Sequence, residues 1–199
     1  MTNESIKLFD APENIEEILK SAKDLPEVKI VQTQQTNGQI QCGLITFEGL
    51  GGNFLPIPPQ NLGFTIATFE TGWFTDLEVA AGGTAPFNNL PSPVTLAGFT
   101  LANDKDIFLS NPVSSVSLFY SSFVNVAIEA YDINNNLLQF VGGLANYVAP
   151  PNTIWNQLTI NLGSNVISTI RVIGGNFQTA IDNIQLCVAP ARGLYVTSL

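Results

Sequence analysis

Histidine is absent from the 199 residues. Without an imidazole there is no Ser-His-Asp or Cys-His catalysis, no His-ligated zinc and no imidazole base. Basic residues are scarce: seven Lys and Arg stand against sixteen Asp and Glu, for a net charge of −9. Nucleic-acid affinity rests on neutralising phosphates with Lys and Arg, so nucleic acid is not an expected partner. An anionic membrane surface is not an expected partner on the same ground. No apolar run is long enough to span a bilayer, so no membrane insertion is expected. The opening "MTNESIKLFDAPENIEE" has no basic start followed by an apolar run, so no secretory signal is visible in it. The phosphate-binding patterns G-x-x-x-x-G-K-[ST] and G-x-G-x-x-G do not occur, and two distant cysteines make no C-x-x-C site.

Charge is sparse and uneven. After Asp106 only Glu129, Asp132, Arg171, Asp182 and Arg192 are charged. An ordinary domain surface carries more. Two readings stand side by side: a surface of Ser, Thr, Asn and Gln, as on many secreted β-proteins, or a surface partly covered by other copies of the chain.

The pattern changes near residue 41. "DAPENIEEILKSAKDLPEVKIV" reads as a helix over about 12–25, with Asp10 as a cap, Pro12 in the first turn and Pro26 as the stop. Ile15, Ile18, Leu19, Ala22 and Leu25 line one face at helical spacing. So short a helix is marginal alone and must pack on the body or on a neighbour. "EVKIV" suits a short strand, and "QTQQTNGQIQ" a polar linker.

From residue 42 the alternation is that of strands, expected at 43–48, 63–69, 73–79, 94–101, 115–121, 124–132, 137–142, 154–161, 166–173 and 179–187. Clusters such as "GLGGN", "PIPPQN", "NNLPSP", "DINNN" and "IGGN" separate them. No strand–helix alternation occurs, so a doubly wound α/β fold is excluded. The expected fold is all-β: a jelly-roll β-sandwich over 42–190, with a short N-terminal helical or extended segment over 1–41 and a C-terminal tail over 191–199. "DINNN" echoes an EF-hand loop, but Leu137 sits where that loop needs glycine; a hairpin turn is the better reading.

"ITFEGL" and "PIPPQNLGF", then "VSSVSLFY", "VAIEAYDINNNLL" and "ISTIRVIGGNFQTAIDNIQL", follow one another in an order that resembles a family of bacterial and fungal extracellular β-domains. Those domains often precede a PEP-CTERM sorting tail and share a galactose-binding-like jelly roll. The resemblance covers most of 44–187. The chain departs from the family pattern at Leu62, Thr65 and Asn135, and ends in "ARGLYVTSL" without a sorting tail. The resemblance implies that the first and last strands lie side by side. It also implies a structural Ca2+ held between Glu48 and Asp182; the alternative for Asp182 and the neighbouring Asn183 is hydrogen bonding to loop backbone. The same adjacency brings Cys42 near Cys187, which could form an intrachain bridge, pair between subunits or stay reduced. An intrachain bridge would be worth about 4–5 kcal/mol on the loop-entropy model.

Catalysis is not expected. Glycoside hydrolysis needs two carboxylates across a cleft, and no motif selects a pair from Glu48, Glu70, Asp76, Glu78, Glu129 and Asp132. Trp73, Tyr120, Tyr131, Tyr147 and Trp155 could stack on sugar rings, with Trp73, Trp155 and Tyr147 the leading candidates, against the alternative of core packing; thirteen Phe suggest a phenylalanine-rich core. The leading functional reading is a non-catalytic structural protein of the cell or spore surface. It would self-assemble into a filament, coat or lattice through the sandwich and the face of Ile15, Ile18, Leu19 and Ala22. The other is a carbohydrate-binding or adhesive module that takes a surface glycan. Both place the protein outside the cell.

Overall fold

The computed structural model describes residues 31–33, 39–47, 50, 55–77, 95–99, 103–148, 154–174 and 178–190. For 31–33, 76–77 and 95–99 it describes the backbone alone. The expected helix, with Ile15, Ile18, Leu19 and Ala22, lies outside these residues, as do Glu48 and the 191–199 tail.

Thirteen strands are described: β1 Val31–Thr33, β2 Gln41–Ile45, β3 Gln60–Asn61, β4 Ile66–Phe69, β5 Trp73–Leu77, β6 Thr95–Phe99, β7 Asp104–Val113, β8 Ser115–Ser122, β9 Val126–Tyr131, β10 Leu137–Gly143, β11 Asn156–Asn161, β12 Ile167–Ile173 and β13 Thr179–Val188. They form two antiparallel sheets packed as a jelly-roll sandwich. The six-stranded sheet runs β10-β9-β12-β7-β4-β3. In the seven-stranded sheet β13 is the hub. One edge of β13 pairs with β8, which in turn pairs with β11. The other edge pairs with β6 at Ala180 and Ile181, and with β2 from Ile184 to Val188.

The change of partner occurs at Asp182 and Asn183. The β13–β8 register shifts between Asp182 and Gln185, and Asn183 has φ 48°. A bulge adds a residue and bends the strand, and asparagine tolerates the left-handed backbone better than most residues. Asp182 is wholly buried, and its Oδ1 accepts the Asn183 N–H at 2.7 Å. The polar pair inside an apolar strand therefore marks the bend at which β13 passes from β6 to β2.

The core lies between the sheets. Alternation aims Val116, Leu118 and Tyr120 of β8 inward, and Ile184 and Leu186 of β13 with them. They meet Ile107 and Leu109 of β7, Ile128 and Ala130 of β9, and Ile170 and Val172 of β12. Branched aliphatics dominate this core. Phenylalanine contributes a local cluster in which Phe47, Phe69 and Trp73 meet edge to face, with centroids 5.8 and 5.6 Å apart. Of the phenylalanines described, Phe47, Phe69 and Phe74 are buried, while Phe108 and Phe140 alternate outward.

Two strands differ from expectation. β1 pairs with β2 of its own chain, Val31 opposite Leu44 and Thr33 opposite Cys42, where a linker was expected from residue 32. β7 was not anticipated. Its segment "DKDIFLSNPV" carries three charges, an asparagine and a proline, which read as a loop. It is nonetheless the strand between β12 and β4. Ile107 and Leu109 give it an inner face. Its irregular end is held by Thr65 and Asn111, which exchange hydrogen bonds of 2.8 and 3.1 Å.

Candidate functional site

The register of the six-stranded sheet sets side chains in rows across its outer face. One row runs Phe140, Glu129, Arg171, Asp106 over β10, β9, β12 and β7. The next runs Tyr131, Thr169, Phe108, Thr68 over β9, β12, β7 and β4. Directly opposed residues share a face, so these are lateral neighbours.

Arg171 sits at the centre. Its Nε donates to Asp106 Oδ1 at 2.8 Å and its Nη2 to Asp106 Oδ2 at 3.0 Å. Asp104 Oδ2 stands 3.7 Å from Nε. The guanidinium also lies over the Tyr131 ring, 5.2 Å from its centroid. The hydrogen bonds to Asp106, with the nearby carboxylate charges of Asp106 and Asp104, raise the Arg171 pKa further above its ordinary value, so its charge is permanent. The Tyr131 hydroxyl donates to Glu129 Oε2. That bond, with burial and the Glu129 charge, raises the Tyr131 pKa. At the end of the row Lys105 Nζ donates to Glu70 Oε1 at 3.2 Å, and the Asp106 N–H donates to Glu70 Oε2 at 3.0 Å.

Glu70, Asp104, Lys105, Asp106, Glu129 and Arg171 are six of the eight acidic and basic side chains described; the others are Asp132 and Asp182. In a charge-poor chain they converge on one patch. Glu70, Asp104, Lys105, Asp106 and Arg171 line a polar hollow of about 200 Å³. A larger, mostly apolar hollow of about 420 Å³ opens beside Phe140, Gly142, Leu144 and Ile173. Phe108 is 45 % exposed and Phe140 55 %, both on this face. The Asp106 fork uses two of the five N–H donors of the guanidinium, whose side chain is 32 % exposed. The face therefore offers fixed donors, carboxylate acceptors and flat apolar rings within reach of one another.

The leading sequence candidates lie elsewhere. Cys42 and Cys187 are directly opposite on β2 and β13 and form a disulfide, Cα to Cα 4.1 Å. Trp73 is 1 % exposed and donates its indole N–H to the Asp106 carbonyl at 3.1 Å; it belongs to the core, not to a stacking surface. Trp155 is 9 % exposed and is likewise withdrawn from the surface by packing. Tyr147 is half-buried against Phe123, centroids 4.0 Å apart, and the Asn146 and Tyr147 N–H groups both donate to the Ser122 carbonyl. Of the expected calcium pair, Asp182 is the buried bulge residue and Glu48 lies outside the described residues. Among the described residues no three His, Cys, Asp or Glu side chains come together to hold a metal ion. No helix among them is long and apolar enough to cross a membrane.

No protein-family model matches the chain, and no curated protein matches its sequence. Several solved β-domains resemble it in shape. TmCBM61, solved in complex with β-1,4-galactotriose, is 11 % identical with TM-score 0.31, covering 70 % of this chain and 96 % of its own. The K1 cleaved adhesin domain of Lys-gingipain from Porphyromonas gingivalis W83 is 14 % identical with TM-score 0.38, covering 76 % of this chain and 99 % of its own. The K2 cleaved adhesin domain of Lys-gingipain is 13 % identical with TM-score 0.39, covering 73 % and 97 %. The sandwich is established by the strand pairings themselves.

The sequence reading named Tyr131 among the aromatics that could stack on a sugar and missed Asp106, Phe108, Phe140 and Arg171. A signal existed: after Asp106 Arg171 is the sole basic residue before Arg192. A lone arginine on an apolar, alternating strand points outward among acids. Locating those acids required β7 to be a strand.

Proposed function

We propose that this chain is a non-catalytic, secreted saccharide-binding module with an adhesive role, of the galactose-binding-like jelly-roll class, and that its ligand lies on the outer face of the six-stranded sheet. The observation that carries this reading is the row Phe140–Glu129–Arg171–Asp106 with Tyr131 and Phe108 beside it. A sugar presents hydroxyls around its edge and C–H groups on its faces. The hydroxyls suit an arginine and carboxylates already held in place by each other, since such groups need little reordering on binding. The C–H faces suit the exposed rings of Phe108 and Phe140. The scarce charge gathers around one polar hollow while a separate apolar hollow opens on the same face, a combination that suits a small ligand with polar and apolar sides. The Cys42–Cys187 bridge supports secretion, because such bonds persist in oxidising compartments.

A glycan array followed by titration calorimetry tests the reading. The wild-type chain is expected to retain a defined saccharide class, and Arg171→Ala to weaken binding at least tenfold, the loss of about 1.4 kcal/mol or more. Absence of any saccharide binding, or equal binding by Arg171→Ala, would refute it.

A further inference from the structure

Glycine is a poor strand residue, because it packs nothing and gives up the most backbone freedom on folding. β10 nevertheless carries Gly142 and Gly143 in succession. Packing requires Gly143: a Cβ there would sit 2.1 Å from the Tyr120 hydroxyl. Packing does not require Gly142. A Cβ there would meet the Phe140 ring at 3.4 and 3.5 Å and the Val126 carbonyl at 3.8 Å, all ordinary contacts. Nor does the backbone require it, since positive φ among the described glycines is confined to Gly63, Gly72 and Gly163. The register shift of β10 lies at the other end of the strand, near Leu137 and Gln139. A strand glycine without a structural cause marks a place that something else approaches closely.

The register identifies what the missing side chain leaves open. Gly142 faces outward with Phe140. It opposes Ala127, which opposes Ile173, which opposes Asp104. This row runs over β10, β9, β12 and β7, beside the row Phe140–Glu129–Arg171–Asp106. At its β10 end Ala127, Phe140, Gly142, Leu144 and Ile173 line the apolar hollow of about 420 Å³. At its β7 end Asp104 lines the polar hollow of about 200 Å³. Ile173 and Asp104 are direct cross-strand neighbours, so the two hollows adjoin. From β10 to β7 is three strand spacings, about 14 Å, more than one pyranose ring covers. No charged side chain lines the apolar hollow. Its polar side chain is Asn125, held at the rim by the Ala145 N–H, which donates to Asn125 Oδ1 at 3.1 Å. Such walls suit an uncharged group with C–H faces, joined across the shared border to whatever the polar hollow holds.

We propose that the apolar hollow is a second saccharide subsite, that Gly142 keeps it open, and that the ligand is a saccharide of at least two units laid across the strands. This rests on the reading of the Arg171 row as the first subsite. One unit offers its hydroxyls to Arg171 and the carboxylates around it. The next, uncharged, lays its C–H face on Gly142 and the Phe140 ring, with the Asn125 amide at its edge. A side chain at position 142 would occupy the space that this second unit takes. A chain linked across both subsites binds more tightly than its single unit, because the second contact is made within one complex.

The test compares binding by the full, disulfide-bonded chain to neutral galactose, glucose and mannose saccharides, each graded from monosaccharide to tetrasaccharide. The wild-type chain is expected to hold a disaccharide or longer at least tenfold more tightly than the monosaccharide. Gly142→Ala and Gly142→Val are expected to lose that gain progressively as the hollow fills. Both are expected to bind the monosaccharide as wild type does and to melt no lower, since the added Cβ meets only ordinary contacts. Leu144→Ala, at an exposed wall position, is expected to lose part of the gain. Arg171→Ala is expected to weaken every length. A wild-type chain that holds monosaccharide and tetrasaccharide equally, with Arg171→Ala weakened, would overturn the second subsite and leave the first standing. So would folded Gly142→Ala and Gly142→Val variants that keep the full gain with length. Retention of no saccharide at any length would overturn both readings.

Discussion

The outer face of the six-stranded sheet carries Glu129, Tyr131, Arg171, Asp106, Phe108 and Phe140. The outer face of the seven-stranded sheet carries Ser115 and Ser117 of β8 opposite Cys187 and Gln185 of β13, the Cys42–Cys187 bridge and the Asp182 bend. The inner faces are alike, built of branched aliphatics in period-two alternation. The contrast separates two tasks. One sheet is fastened: its hub strand switches partners at a bulge and is locked to β2 by a covalent bond. The other is furnished: nearly all the described charge is gathered on it, with rings left in water. In a chain with so few charges, where they collect says more than how many there are.

The largest expected effect breaks the fastening. The bridge spans a sequence separation of 145, which the loop-entropy model values at about 5 kcal/mol. Replacing Cys42 and Cys187 by serine is expected to lower unfolding free energy by up to that amount in denaturant titrations. The binding face of the folded fraction should be unchanged, because no side chain of the Arg171 row touches the bridge. An equal loss of binding at full folding would show that the two faces are not separable.

A smaller effect sharpens the comparison at the seam between the sheets. Gly143 of β10 lies against Tyr120 of β8: a Cβ at Gly143 would sit 2.1 Å from the tyrosine hydroxyl. Tyr120 is 1 % exposed and donates to the Leu144 carbonyl at 2.9 Å, so it has nowhere to go. Gly143→Ala is expected to cost about 1–3 kcal/mol by overpacking, read as a lower Tm.

The smallest effect concerns the β9–β10 turn. The Asn136 side-chain amide, then the Asn136 and Asn134 N–H groups, hold the Asp132 carboxyl below the usual carboxylate range. A carboxylate with a lowered folded pKa stabilises above its unfolded value, about 3.9, and that contribution is lost as pH falls through the lowered value. The Tm difference between wild type and Asp132→Ala is therefore expected to be constant near neutrality and to shrink in acid. An unchanged difference below pH 3 would remove Asp132 from the turn's stability.

The sandwich was legible because its strands announce themselves. β8, β9, β12 and β13 alternate apolar and polar residues and end at Gly, Asn or Pro clusters, and the structure places them within two residues of expectation. The side-by-side β2 and β13 followed from the resemblance. The site was not legible. It depends on β7, whose "DKD" and "SNP" carry the polar and proline signals of a loop, while only Ile107 and Leu109 betray an inner face. Tertiary pairing on both edges overrides those local signals. Tryptophan also misled: size and a polar edge suit a sugar platform, and the same size rewards burial, which is where Trp73 and Trp155 went. The phenylalanines that do face water, Phe108 and Phe140, carry no mark in the sequence beyond their parity on their strands.

The most direct test maps a bound saccharide onto the two outer faces by amide chemical shifts in a titration of isotope-labelled chain. The proposed function requires the largest shifts at Asp106, Phe108, Glu129, Tyr131 and Arg171, with Ser117 and Gln185 unmoved. Shifts centred on Ser117 and Gln185, with the Arg171 row silent, would contradict it.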